Sequence, residues 1–360
     1  MNKLRVVKRI ALGLIVLYLF LASIKLMGYS FKMFGTGFAE TLINFTTNPL
    51  VGLFIGILAT SVVQSSSVIT SIVVVLTAAG SLTIGGAIPI IMGANIGTSI
   101  TTTIVSLAHI TKKGEFQKAF EVATIHDLFN VFGVLILFPL ELYFHFIERA
   151  ATYLSQFFIG SSSTFALANP LKIIINPFIA LVENVFMHNT YLILIFSLIL
   201  IFCSLYSFVK IMKPLAESEF KTVLKDHIFN HPIKSFFFGA LLTVSVQSSS
   251  VTTSLVVPLA GLGILMLDEI FPYILGANVG TAFTSLFASF VIGTQVAITI
   301  ALCHLLFNLF TIILVLPIRK IPISISQWLA HLSIKNRILP FTFIITMFYL
   351  LPSTVIFLFH

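Results

Sequence analysis

Charge is scarce in this chain. Of its 360 residues only 9% are charged while 58% are hydrophobic, and apolar runs long enough to cross a bilayer recur from end to end. That balance excludes a water-soluble globular domain and points to a polytopic membrane protein. Cysteine is nearly absent as well. Cys203 and Cys303 each stand alone inside an apolar stretch, which excludes a disulfide framework, a zinc-ligand spacing and redox chemistry. Where polar residues do occur they are clustered. Residues 62 to 71 read VVQSSSVITS and residues 245 to 254 read SVQSSSVTTS.

The formal net charge of +8 does not call for nucleic acid, because the positions of the basic residues account for it. Apolar segments lie near 7 to 27, 84 to 108, 119 to 144, 190 to 210, 267 to 292, 295 to 317 and 340 to 358. If the N-terminus is cytoplasmic and each QSSS stretch dips into the membrane and returns, the cytoplasmic pieces are 1 to 9, 109 to 118, 211 to 234 and 318 to 339. With Lys210 at the mouth of the third, they hold sixteen of the twenty Lys and Arg residues, and the other four are Lys25, Lys32, Arg149 and Lys172. This is the positive-inside pattern. The basic start, with Lys3, Arg5, Lys8 and Arg9, leads into an apolar run from Ile10 to Ile24. That run of 15 residues stands at the upper end of the ~7 to 15 of a signal peptide's apolar region, and within the longer apolar segment 7 to 27 it is read as a first membrane helix.

From Gly52 to Gly80 there are 29 residues with QSSS near the centre, so neither apolar half approaches the roughly 20 residues a spanning helix needs. A re-entrant hairpin is predicted, its polar tip buried in protein or lining a cavity. The motif belongs to a longer repeat. Shifting the chain by 183 residues superposes 56 to 101 on 239 to 284 with 24 identities in 46 positions and no gap, including Gln64 on Gln247, Pro89 on Pro272 and Asn95 on Asn278. A shift of 178 then lays His126 on His304 and Asn130 on Asn308. Three predicted spans separate the two QSSS stretches, and an odd number inverts the second copy. Inverted repeats with broken helices and polar clusters at mid-membrane depth are the pattern of a secondary transporter.

A second polar cluster follows in each half, IPIIMGANIGTSIT at 88 to 101 and FPYILGANVGTAFT at 271 to 284. Pro and paired Gly predict an unwound stretch there. Thr98 and Thr101, like Thr281 and Thr284, are spaced three apart and share a helical face. Such oxygens suit a hard cation such as sodium. Helix N-termini with serine hydroxyls suit an anion.

The fold class predicted is an all-α integral membrane protein with two inverted-topology repeats, each carrying a re-entrant QSSS hairpin and an unwound GAN-x-GT helix. Its parts are a stub and first span (1–26), repeat 1 (27–147, with hairpin 52–80 and unwound helix 84–108), an extracellular linker with an interfacial helix and one span (148–209), repeat 2 (210–318, with hairpin 235–263 and unwound helix 267–292), and an interfacial helix with a final span (319–360).

The paired QSSS motifs, the GANIGTS and GANVGT stretches and the run EFQKAFEVATIHDLFN at 115 to 130 resemble the type II sodium/phosphate cotransporter family, in its bacterial-type form without a soluble regulatory domain. The large cysteine-bearing loop of animal members is missing from 148 to 189. The resemblance implies phosphate held by Ser65, Ser66, Ser67, Ser248, Ser249 and Ser250 with Asn95 and Asn278. It implies sodium held by Gln64, Thr98, Thr101, Gln247, Ser248, Thr281 and Thr284. His126, Asp127, Asn130, His304 and Asn308 are expected around the site rather than on the ligands, since the second copy has Leu305 where the first has Asp127. Ala282 and Phe283 replace Ser99 and Ile100, so two cation sites would not be equivalent.

These readings predict sodium-coupled symport of inorganic phosphate across the plasma (inner) membrane by alternating access. The partners are phosphate, sodium and the lipid bilayer, with no nucleic acid and no cofactor beyond co-transported sodium; a homodimer is left open. Transport of another oxyanion and export of phosphate are the alternatives. An intramembrane hydrolase using a QSSS serine with His126 as base lacks a G-x-S-x-G elbow and leaves the second copy unexplained. His227 and His231 are expected in a solvated cytoplasmic turn. Trp328 and the segment 170 to 186 are expected in interfacial helices.

Overall fold

The computed structural model describes residues 3–33, 44, 46–160, 170–223 and 228–359, and these are helical with no strand among them. The helices are α1 (Lys3–Met33), α2 (Pro49–Val63), α3 (Ser66–Ala78), α4 (Ile84–Thr98), α5 (Ile100–Ser106), α6 (Lys113–Phe144), α7 (Phe146–Gly160) and α8 (Pro170–Val185). After them come α9 (Thr190–Val223), α10 (Pro232–Val246), α11 (Ser249–Gly261), α12 (Leu267–Ile292), α13 (Gln295–Val315) and α14 (Lys320–Lys335). The chain closes with α15 (Leu339–Ile345), a π-helical turn, and α16 (Leu351–Phe359). Among the described residues six stretches are long and apolar enough to cross a membrane: Val7–Met27, Ile84–His109, Lys113–Phe144, Leu267–Ile292, Gln295–Val315 and Leu339–Phe359. The protein is an all-α, multi-pass membrane protein. The segment predicted to span at 190 to 210 lies within the single helix α9. His227 lies outside the described residues.

The offset of 183 reappears in the elements. Pro49 and Pro232 both open a helix of 15 residues, where a missing N–H costs nothing. Each helix ends on a glutamine in the left-handed region, Gln64 at φ 54° and Gln247 at φ 58°. The next residue is already the N-cap of the following helix: Ser65 Oγ accepts from Val68 N–H and Ser248 Oγ from Val251 N–H, both at 3.4 Å. A junction of two residues leaves the serines of each motif at a helix start.

Glycines set how closely the elements meet. A Cβ on Gly93 would lie 1.9 Å from the Leu53 carbonyl oxygen, and one on Gly276 would lie 1.8 Å from that of Phe236. Without a side chain at these points the backbones of α2 and α4, and of α10 and α12, come into direct contact, as small residues allow between membrane helices.

The stretches predicted to unwind are helical. Residues 93 to 97 continue α4, and 276 to 280 lie inside the uninterrupted α12. The glycines serve the close crossing instead of a break. Side chains add bonds to carbonyls one turn back, from Asn95 Nδ2 to Ile91 O at 2.9 Å and from Thr98 Oγ1 to Ala94 O at 2.8 Å. An interruption does occur one residue after Thr98. Ser99 donates its N–H (3.3 Å) and its hydroxyl (2.8 Å) to the Ile96 carbonyl, tightening the turn and separating α5 from α4. In the second half Ala282 stands at the equivalent place and has no hydroxyl to compete with the backbone.

The two halves interlock. Ala119, Val122, Ile125 and Phe129 of α6 pack with Val246, Val256 and Tyr273 of the second half. Ala297 and Ile300 of α13 pack with Ile69, Val73, Ala87 and Ile91 of the first. Helices α1, α8 and α9 lie outside this unit against α3 and α12, through Phe20, Ile175, Ile193, Val68 and Ala288. Helix α14 places Ala330 against Phe116 and Phe120 while Trp328 stays 60% exposed.

The crossings generate a test. Gly93→Val and Gly276→Val should abolish the monodisperse peak of purified protein in detergent, because backbone carbonyls cannot withdraw. Gly85→Ala meets no atom within 4 Å, and should leave the peak intact and raise stability by ~0.5–1 kcal/mol, read as a higher midpoint of thermal unfolding.

Candidate functional site

The two QSSS turns meet each other. Ser67 Oγ lies 3.3 Å from the Gln247 carbonyl oxygen at the opposite turn. Its repeat equivalent Ser250 directs Oγ to the Thr98 carbonyl oxygen at 3.5 Å. Ser66, Ser67, Ser249 and Ser250 are all buried, as are Asn95, Thr98, Asn278, Thr281 and Thr284. Ser65 and Ser248 are half-buried. Each run of serines forms the first turn of a 13-residue helix, so each motif lies at a helix N-terminus with its positive dipole end, and Ser67 brings the first of these to the turn at Gln247. Hydroxyls, backbone amides and helix dipole ends are a donor set that can receive an anion without a lysine or arginine.

The glutamines differ between the halves. Gln247 is buried, its Oε1 accepting from Thr284 Oγ1 at 2.8 Å and its Nε2 donating to Val244 O at 2.8 Å. Gln64 is exposed, and the hydroxyl of Thr101, the counterpart of Thr284, is buried with no hydrogen-bond partner. Thr281 and Thr98 each donate to the carbonyl one turn back, Thr281 to Ala277 O at 3.0 Å.

The residues expected around the site form a buried chain of hydrogen bonds across the two halves. Asn130 Nδ2 donates to the Asn95 carbonyl at 2.7 Å, which leaves Asn130 Oδ1 to accept from Asn278 Nδ2 at 2.9 Å. Asn278 Oδ1 then faces His126 Nε2 at 2.8 Å, and this order requires the proton on Nε2. Asn308 Nδ2 donates to the Asn278 and His304 carbonyls, both at 3.2 Å, and His304 Nδ1 pairs with Ser285 Oγ at 3.2 Å. The amides of Asn95 and Asn278, expected on phosphate, are committed to their own helix and to this chain. Asp127 is buried and accepts from Thr103 Oγ1 at 2.9 Å, while its other oxygen has no partner.

Thr103 had no place in the sequence reading, yet a signal existed. At offset 183 its counterpart is Leu286, and at offset 178 the counterpart of Asp127 is Leu305. Both halves of the polar pair become leucine together, and Leu286 and Leu305 share an apolar cluster. The contacts of Ser67 and Ser250 across the halves had no such signal, since they join residues about 150 to 180 apart.

The family described as Na+/Pi-cotransporter matches residues 19–164 and 200–320. Sodium-dependent phosphate transport protein 2B of Homo sapiens is 32% identical over 96% of this chain and 64% of its own length. Sodium-dependent phosphate transport protein 2A of Ovis aries is 31% identical over 96% of this chain and 67% of its own. The chain thus spans just under two thirds of the human relative. No solved structure matches it. With both QSSS motifs and both GAN-x-GT stretches inside the matched residues, this chain belongs to the Na+/Pi-cotransporter family.

Proposed function

We propose that this protein couples the movement of sodium to the movement of inorganic phosphate across the plasma (inner) membrane, with its N-terminus in the cytoplasm. The observation that carries the reading is the meeting of the two QSSS turns, where Ser67 and Ser250 each reach the opposite half. The relatives' names, sodium-dependent phosphate transport proteins 2A and 2B, supply the ion and the substrate.

Helices of 15 and 13 residues extend ~22 and ~20 Å, short of the ~30 Å hydrocarbon core. On this reading α2–α3 and α10–α11 enter and return on the same side, and the second half is inverted. Phosphate sits at the paired helix starts, held by Ser65, Ser66, Ser67, Ser248, Ser249 and Ser250 and the amides around them. Asn95 and Asn278 shape the site through the chain they anchor. Sodium takes oxygens of Gln64, Thr98 and Thr101 in one half and Gln247, Ser248, Thr281 and Thr284 in the other. No lysine or arginine occurs in 49–106 or 235–292, so co-bound cations must offset the anion's charge. Each ligand then improves the site for the other, which is the thermodynamic content of coupling. Hydrolysis finds no support, because His126 Nε2 is occupied by Asn278 rather than by a QSSS serine.

Purified protein in proteoliposomes should accumulate radiolabelled phosphate under an inward sodium gradient and not under potassium or choline. Uptake independent of the cation, or none from folded and inserted protein, would overturn the proposal. Ser249→Ala should raise the apparent phosphate constant by ~10-fold or more, in keeping with the loss of a charge-assisted hydrogen bond. Thr284→Val removes the hydroxyl that fixes Gln247. It should raise the sodium concentration for half-maximal uptake several-fold, with phosphate affinity at saturating sodium little changed.

A further inference from the structure

A second cluster of polar side chains lies away from the QSSS turns, at the elbow where α6 ends and α7 begins. Glu141, His145 and Glu148 bring one ligand atom each to within 4.8 Å of one another. Glu141 is 5% exposed and rigidly held, its two oxygens accepting from the N–H groups of Ile147 at 2.6 Å and Glu148 at 3.2 Å. His145 occupies the left-handed turn between the helices, at φ 50°, and its Nδ1 lies 3.0 Å from Glu148 Oε2. An open cavity of about 500 Å³ adjoins His145 and Glu148 and runs on to Thr152 and Gln156, leaving room for an ion and its water.

We propose that Glu141, His145 and Glu148 form a binding site for a divalent transition-metal ion of the zinc type. An imidazole nitrogen with two carboxylates is a donor set that zinc accepts, at ~2.0–2.2 Å per bond, with a fourth position left to water. Bonds of that length place neighbouring ligands of a tetrahedral ion ~3.4 Å apart; His145 Nδ1 and Glu148 Oε2, joined by a 3.0 Å hydrogen bond, would give up the shared proton and part slightly to take the ion. Each carboxylate oxygen of Glu141 keeps a further lone pair beside the N–H it already accepts. Its backbone bonds do for this ligand what outer partners do in metal sites generally, fixing the direction of the donor before the ion arrives. Two carboxylates balance the dication, and the exposed guanidinium of Arg149 on the cavity rim weakens the site without blocking it. A bound ion would pin the start of α7 to the end of α6. Ile147 and Ala151 of α7 pack with Ala301 and Leu302 of α13, so the clamp would also bear on the second half.

The test is isothermal titration of zinc into the purified full-length protein in detergent, paired with thermal unfolding. Wild type should bind about one zinc per chain and unfold at a higher temperature with zinc than with chelator. His145→Asn keeps a residue tolerant of the left-handed turn, and Glu148→Gln keeps the shape. Each should weaken binding at least ~10-fold, ~1.4 kcal/mol, and remove the thermal gain. His331→Asn, on α14, should change neither. Absence of binding in wild type, or equal binding in wild type and both folded variants, would overturn the site.

Discussion

A membrane interior offers no water to an amide, so every polar group placed there must find a partner in the protein. In this chain that constraint is met most heavily at Asn130. Its side chain takes the carbonyl of Asn95 in α4 and accepts from Asn278 in α12, and Asn278 in turn meets His126 one turn earlier on α6. Three helices from both copies of the repeat are registered by this one chain of bonds. Breaking it would strand several buried amides at once, and each would cost ~1–3 kcal/mol. The serine-bearing turns lie against the same helices, so their mutual approach depends on that registration.

Much of this was legible beforehand. Apolar runs foretold an all-α membrane protein, and Pro, Gln and Ser in register at a fixed offset marked where α2 gives way to α3 and α10 to α11. What failed was the reading of Gly93, Gly97, Gly276 and Gly280 as a signal for unwinding. Glycine has two uses inside a membrane helix, freedom of the backbone and absence of a side chain, and the sequence does not distinguish them. The structure uses the second. The interruption moved instead to Ser99, whose hydroxyl competes for a carbonyl that Ala282 leaves alone. The pairing of Thr103 with Asp127 needed the distance between helices, although the joint replacement by Leu286 and Leu305 already hinted at contact.

The copies have also diverged in their polar chemistry. Gln247 is buried and bonded to Thr284, while Gln64 is exposed and Thr101 keeps an idle hydroxyl. The aspartate, its threonine and the helix interruption all belong to the first half. Two halves related by sequence therefore carry different polar chemistry, a difference that goes beyond the loss of Ser99.

The glycine crossings have a mechanical meaning. With carbonyl oxygens standing where a Cβ would be, at 1.8–1.9 Å for Gly276 and Gly93, α2 cannot slide along α4, nor α10 along α12, without backbone collision. Each pair is a single rigid lever. The other limbs, α3 and α11, rest on helices of the opposite half, so any displacement between the halves loads the joint that connects a lever to its partner limb. Those joints are Gln64 and Gln247, two non-glycine residues in the sparsely populated left-handed region. The turns that carry the polar atoms are thus also the places where relative motion of the halves would first be felt.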